Sequence, residues 1–111
     1  MTDEINWLEP WGSLCTVPDY FEKELYNEVG ILHVLYGKTV TAIGKRYDCD
    51  DVLFRVYDSK FRYEVVHLTY SKSKINKINL KYPKTKLYEC LDDWINKCMI
   101  PDHSEYMIDS C

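Results

Sequence analysis

The sequence predicts an α+β domain: a three- to four-stranded antiparallel sheet, a meander, with two helices packed on it. Three observations carry that prediction. In residues 51–70, DVLFRVYDSKFRYEVVHLTY, the apolar Val52, Phe54 and Val56 alternate with Leu53, Arg55 and Tyr57, the period-two pattern of a strand with one wholly apolar face. The return run is denser, since Val65, Val66 and Leu68 put apolar side chains on both faces, as in a central strand covered on each side. Two stretches of helical period flank this hairpin: Phe21, Leu25 and Val29 recur every four residues, and Leu91, Trp94, Ile95 and Cys98 fall at i, i+3, i+4 and i+7.

Taken in order, residues 1–18 hold Trp7, Leu8 and Trp11 together with prolines at 10 and 18 and follow neither period. An ordered arm that lays its two indoles on the domain is expected, because a disordered tail rarely carries two tryptophans. The first helix is expected over 20–29. Asp19 followed three residues later by Glu22 resembles a capping box, and Gly30 suits the left-handed position that ends a helix, with Ile31 placed for the accompanying apolar contact. His33 to Gly37 link helix to sheet, with Gly37 as the turn. Thr39 to Arg46 form the first strand, where Gly44 marks a bulge or a close backbone approach. A turn over 47–51 leads into the hairpin, which Asp58, Ser59 and Lys60 close. Residues 71–86 carry six lysines without a convincing period and read as a loop or irregular edge whose charges discourage edge pairing. Leu87 and Tyr88 add a brief fourth strand. The last helix spans 91–99, with Asp92 and Asp93 in its first turn, and Pro101 stops it, leaving 100–111 as an acidic tail.

A chain of 111 residues has room for one domain and one core, and it buries roughly two-thirds of its unfolded surface. With 46% hydrophobic and 29% charged residues, neither disorder nor a fibrous repeat is expected. Ten tyrosines and three tryptophans suit half-exposed sheet positions and equally suit a binding face. No apolar run approaches the roughly 20 residues that span a bilayer, and the acidic start lacks the sections of a secretory signal, so a cytoplasmic protein without membrane contact is expected. Cys15, Cys49, Cys90, Cys98 and Cys111 are odd in number and contain no C-x-x-C pair, which fits free thiols in a reducing compartment.

The net charge of −4 hides a segregation. Residues 1–30 carry one lysine against seven acids, residues 31–86 twelve basic against five acidic, and residues 87–111 one lysine against six acids. Such a chain either folds its ends back on its middle or presents surfaces of opposite sign to a partner.

No constellation of residues announces catalysis. His67, inside an apolar strand, is expected to be a buried imidazole bonded to a neighbour rather than a catalytic or metal-binding group. Histidine pairs at zinc spacing, Gly-rich phosphate loops and G-x-S-x-G elbows are missing from the sequence, so neither a metal, a cofactor nor an enzymatic reaction is expected. Cys49 sits among carboxylates that raise its pKa. Asp48, Asp50 and Asp51 place three carboxylates in four residues, either as local caps in a turn or as a surface for a cation or a basic partner. Arg55, Tyr57, Lys60, Phe61, Arg62 and Tyr63 interleave aromatics with cations in the manner of a single-strand nucleic-acid platform, but a pI near 5.3 argues against a strong polyanion binder.

The segments HVLYGKTVTAIGKRYDCDDVLFRV and YEVVHLTYS resemble a family of small stand-alone bacterial proteins. That family carries a His-Pro-Leu-Tyr-Gly turn, an Asp-x-Asp-Asp-x-Leu-Phe hairpin entry, a Val-Val-His-Leu-Thr-Trp-Ser strand and a Leu-x-x-Trp helix. His33, Leu35, Tyr36 and Gly37 match the first motif, and Asp48, Asp50, Asp51, Leu53 and Phe54 the second. Val65 to Thr69 with Ser71 match the third, and Leu91 with Trp94 the fourth. Val34 replaces the proline, Tyr70 the tryptophan, and Cys90 a capping serine. Proteins of this kind are similar to the immunity proteins that accompany secreted bacterial toxins, including those of contact-dependent inhibition systems. The resemblance implies a non-enzymatic protein, monomeric when free, that binds a basic toxin domain of the nuclease kind and occludes its active site. The candidate contact residues are Tyr47, Asp48, Asp50, Asp51 and Tyr57, with Asp102, Glu105 and Tyr106 near the C-terminal end. The rivals are a nucleic-acid-binding regulator using residues 72–86 and a small enzyme or ligand binder centred on His67.

Overall fold

A computed structural model of the chain describes residues 5–14, 19–28, 38–57, 62–68 and 84–109. Its elements in order are strand β1 (Trp11–Ser13), helix α1 (Asp19–Glu28), strands β2 (Val40–Arg46), β3 (Asp51–Val56), β4 (Tyr63–His67) and β5 (Lys84–Tyr88), and a helical rod over 91–109, here α2. The class is α+β, as expected. The strands form one antiparallel sheet in the order β1-β2-β3-β4-β5. It has five strands rather than three or four, because the arm supplies a short edge strand and the segment at Leu87 is longer than two residues. The reading of 71–86 as a loop or irregular edge fails at its end, since Lys84–Tyr88 pairs with β4 throughout, and residues 71–83 lie outside the described residues. The turn at 58–60, the Gly30 cap, the His33 to Gly37 link, Cys15 and Cys111 lie outside the described residues.

Each face of the sheet has its own helix. Alternation along β3 sends Val52, Phe54 and Val56 to the side covered by Phe21 and Leu25 of α1, where Val40, Ala42, Val66 and Leu68 complete a buried cluster. Leu53 points the other way, into a second cluster with Trp11, Tyr63, Val65, Tyr88, and Trp94, Cys98 and Met99 of α2. Period two on one strand is thus what holds two helices on opposite faces. The β2–β3 register shifts between Ala42 and Gly44, so the sequence signal at Gly44 marks a bulge. It marks a close approach as well: a Cβ there would run into the Trp7 ring.

Within the arm, the described residues 5–14 lay both indoles on the domain. Trp7 and Trp11 meet Trp94 edge to face, with ring centroids at 6.1 and 5.2 Å. Pro101 does not stop α2. The rod is an α-helical turn (Leu91–Trp94), a π-helical turn (Ile95–Met99) and an α-helix (Ile100–Asp109), so most of the segment expected as an acidic tail is helical. The N–H of Ile100 bonds the carbonyl of Ile95, five residues back. That wider turn moves the preceding carbonyls out of the path of the proline ring just before a residue that has no N–H to give. Helix α1 begins at Asp19 itself, one residue earlier than the 20–29 expectation.

Candidate functional site

The β2–β3 turn is the best-defined exposed feature of the molecule, and its backbone is held from several directions. The amide of Tyr47 donates to the carbonyl of Pro10 at 2.8 Å, tying the turn to the arm. Lys45 folds its ammonium back onto the carbonyls of Arg46 (2.9 Å) and Cys49. On the far side of the turn, the amide of Leu68 donates to the carbonyl of Asp50 at 3.1 Å. Tyr47 itself is 61% exposed, yet its hydroxyl donates to the carbonyl of Ser13 and its ring lies over Gly12, where any Cβ would collide with it. This is an aromatic side chain both displayed and fixed.

The three carboxylates of the turn have separate fates. Asp48 takes a two-pronged contact from Arg46, Nε at 2.7 Å and Nη2 at 2.9 Å, which holds its carboxyl below the ordinary carboxylate range and raises the guanidinium pKa in turn. Asp51 lies 2.7 Å from Nδ1 of His67, its direct partner across the β3–β4 ladder. Of the three, only Asp50 has a carboxylate without a hydrogen bond or ion pair among the described residues. Repulsion among the three neighbouring carboxylates is therefore partly relieved from within the fold. His67 is bonded to a neighbour as expected, but it is not buried: it is the last residue of β4, and half of its side chain is exposed. No metal-holding group of three or more His, Cys, Asp or Glu side chains occurs among the described residues.

Asp102 faces inward. Its Oδ2 accepts from Nε1 of the buried Trp11 at 2.8 Å and from the Cys98 thiol at 3.5 Å, and lies 3.4 Å from Nη1 of Arg46. One carboxylate thus joins β1, β2 and α2. His103 beside it lies with Nδ1 2.7 Å from the carbonyl of Glu9. Glu105 is exposed and Tyr106 half-buried one turn further along. Because Arg46 bridges Asp48 and Asp102, these α2 residues and the β2–β3 turn belong to the same side of the molecule. Tyr57 does not join them. It follows the far end of β3, roughly 20 Å away along the strand, where its hydroxyl accepts from Thr41 and Arg55 lies 5.5 Å from its ring centroid. Among the residues proposed for a nucleic-acid platform, Arg55 lies by Tyr57 and pairs across the β3–β4 ladder with the buried Tyr63, and most of 72–86 lies outside the described residues.

Two features escaped the sequence reading. Glu64 is fully buried, with no hydrogen-bond partner for either carboxyl oxygen among the described residues, and burial raises its pKa to about 7. A lone glutamate at the start of EVVH gives no sign of this, since whether its side of the strand is covered depends on distant chain. The other is the outer side of α2, where Ile100, Met107 and Ile108 are exposed; 100, 107 and 108 share a helical face only once the helix is known to pass Pro101.

Comparison with protein-family models, with curated proteins and with solved structures found no match. No helix among the described residues is long and apolar enough to cross a membrane.

Proposed function

We propose that this chain is an immunity protein, one that binds a basic toxin domain of the nuclease kind and covers its active site without catalysing a reaction itself. The observation that carries the reading is the fixed display of Tyr47 beside the free carboxylate of Asp50. Aromatic rings in central positions contribute much of the affinity of protein interfaces, and a ring already held in place loses little conformational freedom on binding. A free carboxylate beside it attracts a basic surface and speeds encounter. We assign Asp48, Asp51, Glu105 and Tyr106 to the rim of this surface, whereas Asp102 serves the fold and Tyr57 lies at the other end of the hairpin. Monomeric behaviour when free and a cytoplasmic location belong to the same proposal.

The test is capture of partners from the source cell with the tagged chain. Recovery of a single basic toxin domain, whose nuclease activity is suppressed in the complex and returns on its release, is the expected result. Recovery of nucleic acid alone, or of a toxin domain that stays fully active when bound, would overturn the proposal.

A further inference from the structure

We propose that Glu64 is a proton-operated latch on the sheet: in its protonated form it lets β5 lie against β4, and its ionisation drives β5 away so that the carboxylate reaches water. Glu64 faces the α1 side with Val66 and Leu68, between Phe54 on β3 and Leu87 on β5, its cross-strand partners. It is fully buried, and neither oxygen has a hydrogen bond among the described residues. A carboxylate in such a place loses its hydration without compensation, so it either stays protonated or moves.

Among the described residues, no other charge on this face resolves the conflict. On this face β3 offers Val52, Phe54 and Val56, and β5 offers Thr85 and Leu87, none of them titratable. From α1, Glu22 is engaged with the amide of Ala42 at 3.1 Å. On β2, Lys45 lies at the far end on its own turn carbonyls. Lys38, just before β2, is the one described cation that favours the ionised form, and burial outweighs it, leaving the carboxyl pKa near 7.

The direction of opening follows from the sheet. Strand β3 is central and locked from both sides by the fully buried Val52, Leu53 and Phe54. Strand β5 is the last in the order, and its Thr85 and Leu87 are already partly exposed. Water reaches Glu64 with the least loss of packing when β5 yields. In the opened form Glu64 titrates near its ordinary value of 4.5, in the closed form near 7, so opening becomes more favourable as pH rises through that interval and levels off above it. Between about pH 6 and about pH 8 the opening constant rises roughly tenfold.

Amide hydrogen exchange of the intact chain, corrected for intrinsic rates, reads this directly. The expected result is that protection of the amides of residues 85–88 falls roughly tenfold between about pH 6 and about pH 8, while that of residues 52–54 is unchanged. In Glu64→Gln, or in Glu64→Met should the amide be poorly tolerated, the protection of β5 should be independent of pH. Three results would each overturn the proposal: no change of β5 protection in the wild-type chain, an equal fall in β3 and β5, or a fall that persists in both variants.

Discussion

At the scale of single residues, the side chains that matter most are those whose surroundings could not be read locally. Tyr47 and Asp50 were legible as candidates because a turn rich in aspartate is exposed on any fold; that Tyr47 is clamped over Gly12 was not, since its clamp comes from a strand 34 residues away. If they form the centre of an interface, their roles separate kinetically. Tyr47→Ala should raise the dissociation rate of the toxin complex and cost about 2 kcal/mol or more of affinity. Asp50→Asn should instead slow association a few-fold at low ionic strength, with the gap closing as salt screens the field. Stopped-flow and dissociation measurements over a salt series distinguish the two, and equal effects on both rates would remove the division of labour. Thiol chemistry provides a second check at this scale. Cys49, Cys90 and Cys98 are free. Cys90 is exposed, whereas burial, together with the neighbouring Asp102 carboxylate, pushes the Cys98 thiol up to about 12. In native protein, alkylation followed by mass spectrometry should find Cys90 modified early and Cys98 only after unfolding; early modification of Cys98 would mean that the Trp11–Asp102–Cys98 contact opens readily.

At the scale of elements, local pattern succeeded where a strand or helix is governed by its own period, and failed where long-range contact decides. The hairpin strands, the bulge at Gly44 and both helix starts follow from alternation, β-branched content and helical spacing within a few residues. Strand β1 has three residues and no period, so only its pairing with Gly44, Lys45 and Arg46 makes it a strand. The end of the last helix was misplaced because Pro101 normally breaks a helix, and the rule assumes α-helical turns throughout. A proline inside an α-helix costs about 3 kcal/mol relative to alanine. The π-helical turn before Pro101 should remove most of that cost, by widening the helix where the ring would collide and the bond would be missing. Pro101→Ala should therefore gain less than about 1 kcal/mol in urea unfolding. A gain of the full α-helical amount would show that the π turn is strain imposed by the proline rather than accommodation of it. Asp102 lies on the continuation of this helix, and its partners Trp11 and Arg46 come from β1 and β2. Asp102→Ala leaves the buried indole N–H unsatisfied and should cost about 1–3 kcal/mol of stability. A neutral substitution would mean that the carboxylate is not what joins the arm to α2.

At the scale of the whole molecule, the alternating charge of the chain admitted two arrangements, and the contacts of the arm favour a closed one. Ile5, Trp7, Leu8 and Trp11 pack in the cluster on the α2 side, and Arg46, from the basic middle, lies between Asp48 and the Asp102 carboxylate of the acidic C-terminal part. The domain is therefore layered by chain order: α1 on one face, and on the other α2 with the arm wedged between it and the sheet. Trp11 is 1% exposed and Trp94 0%, and both meet the core through each other, so the arm is part of the second core rather than a cover over it. Removal of residues 1–14 would delete an edge strand, uncover Trp94 and leave Asp102 and Arg46 without the indole that packs beside them. Burying a large aromatic side chain contributes about 3–5 kcal/mol by the cost of truncating it, and a domain of this size has a total stability of about 5–15 kcal/mol. Losing Trp7, Trp11 and strand β1 together should thus consume most of the margin. The expected outcome is a chain that keeps much of its far-ultraviolet signal but loses its near-ultraviolet tryptophan signal and its cooperative urea transition. Trp11→Ala should lie between that truncation and the wild type. If the truncated chain instead unfolds with an unchanged midpoint and slope, the α1-side cluster alone holds the sheet, and the tryptophans of the arm are free to be read as a binding surface rather than as core.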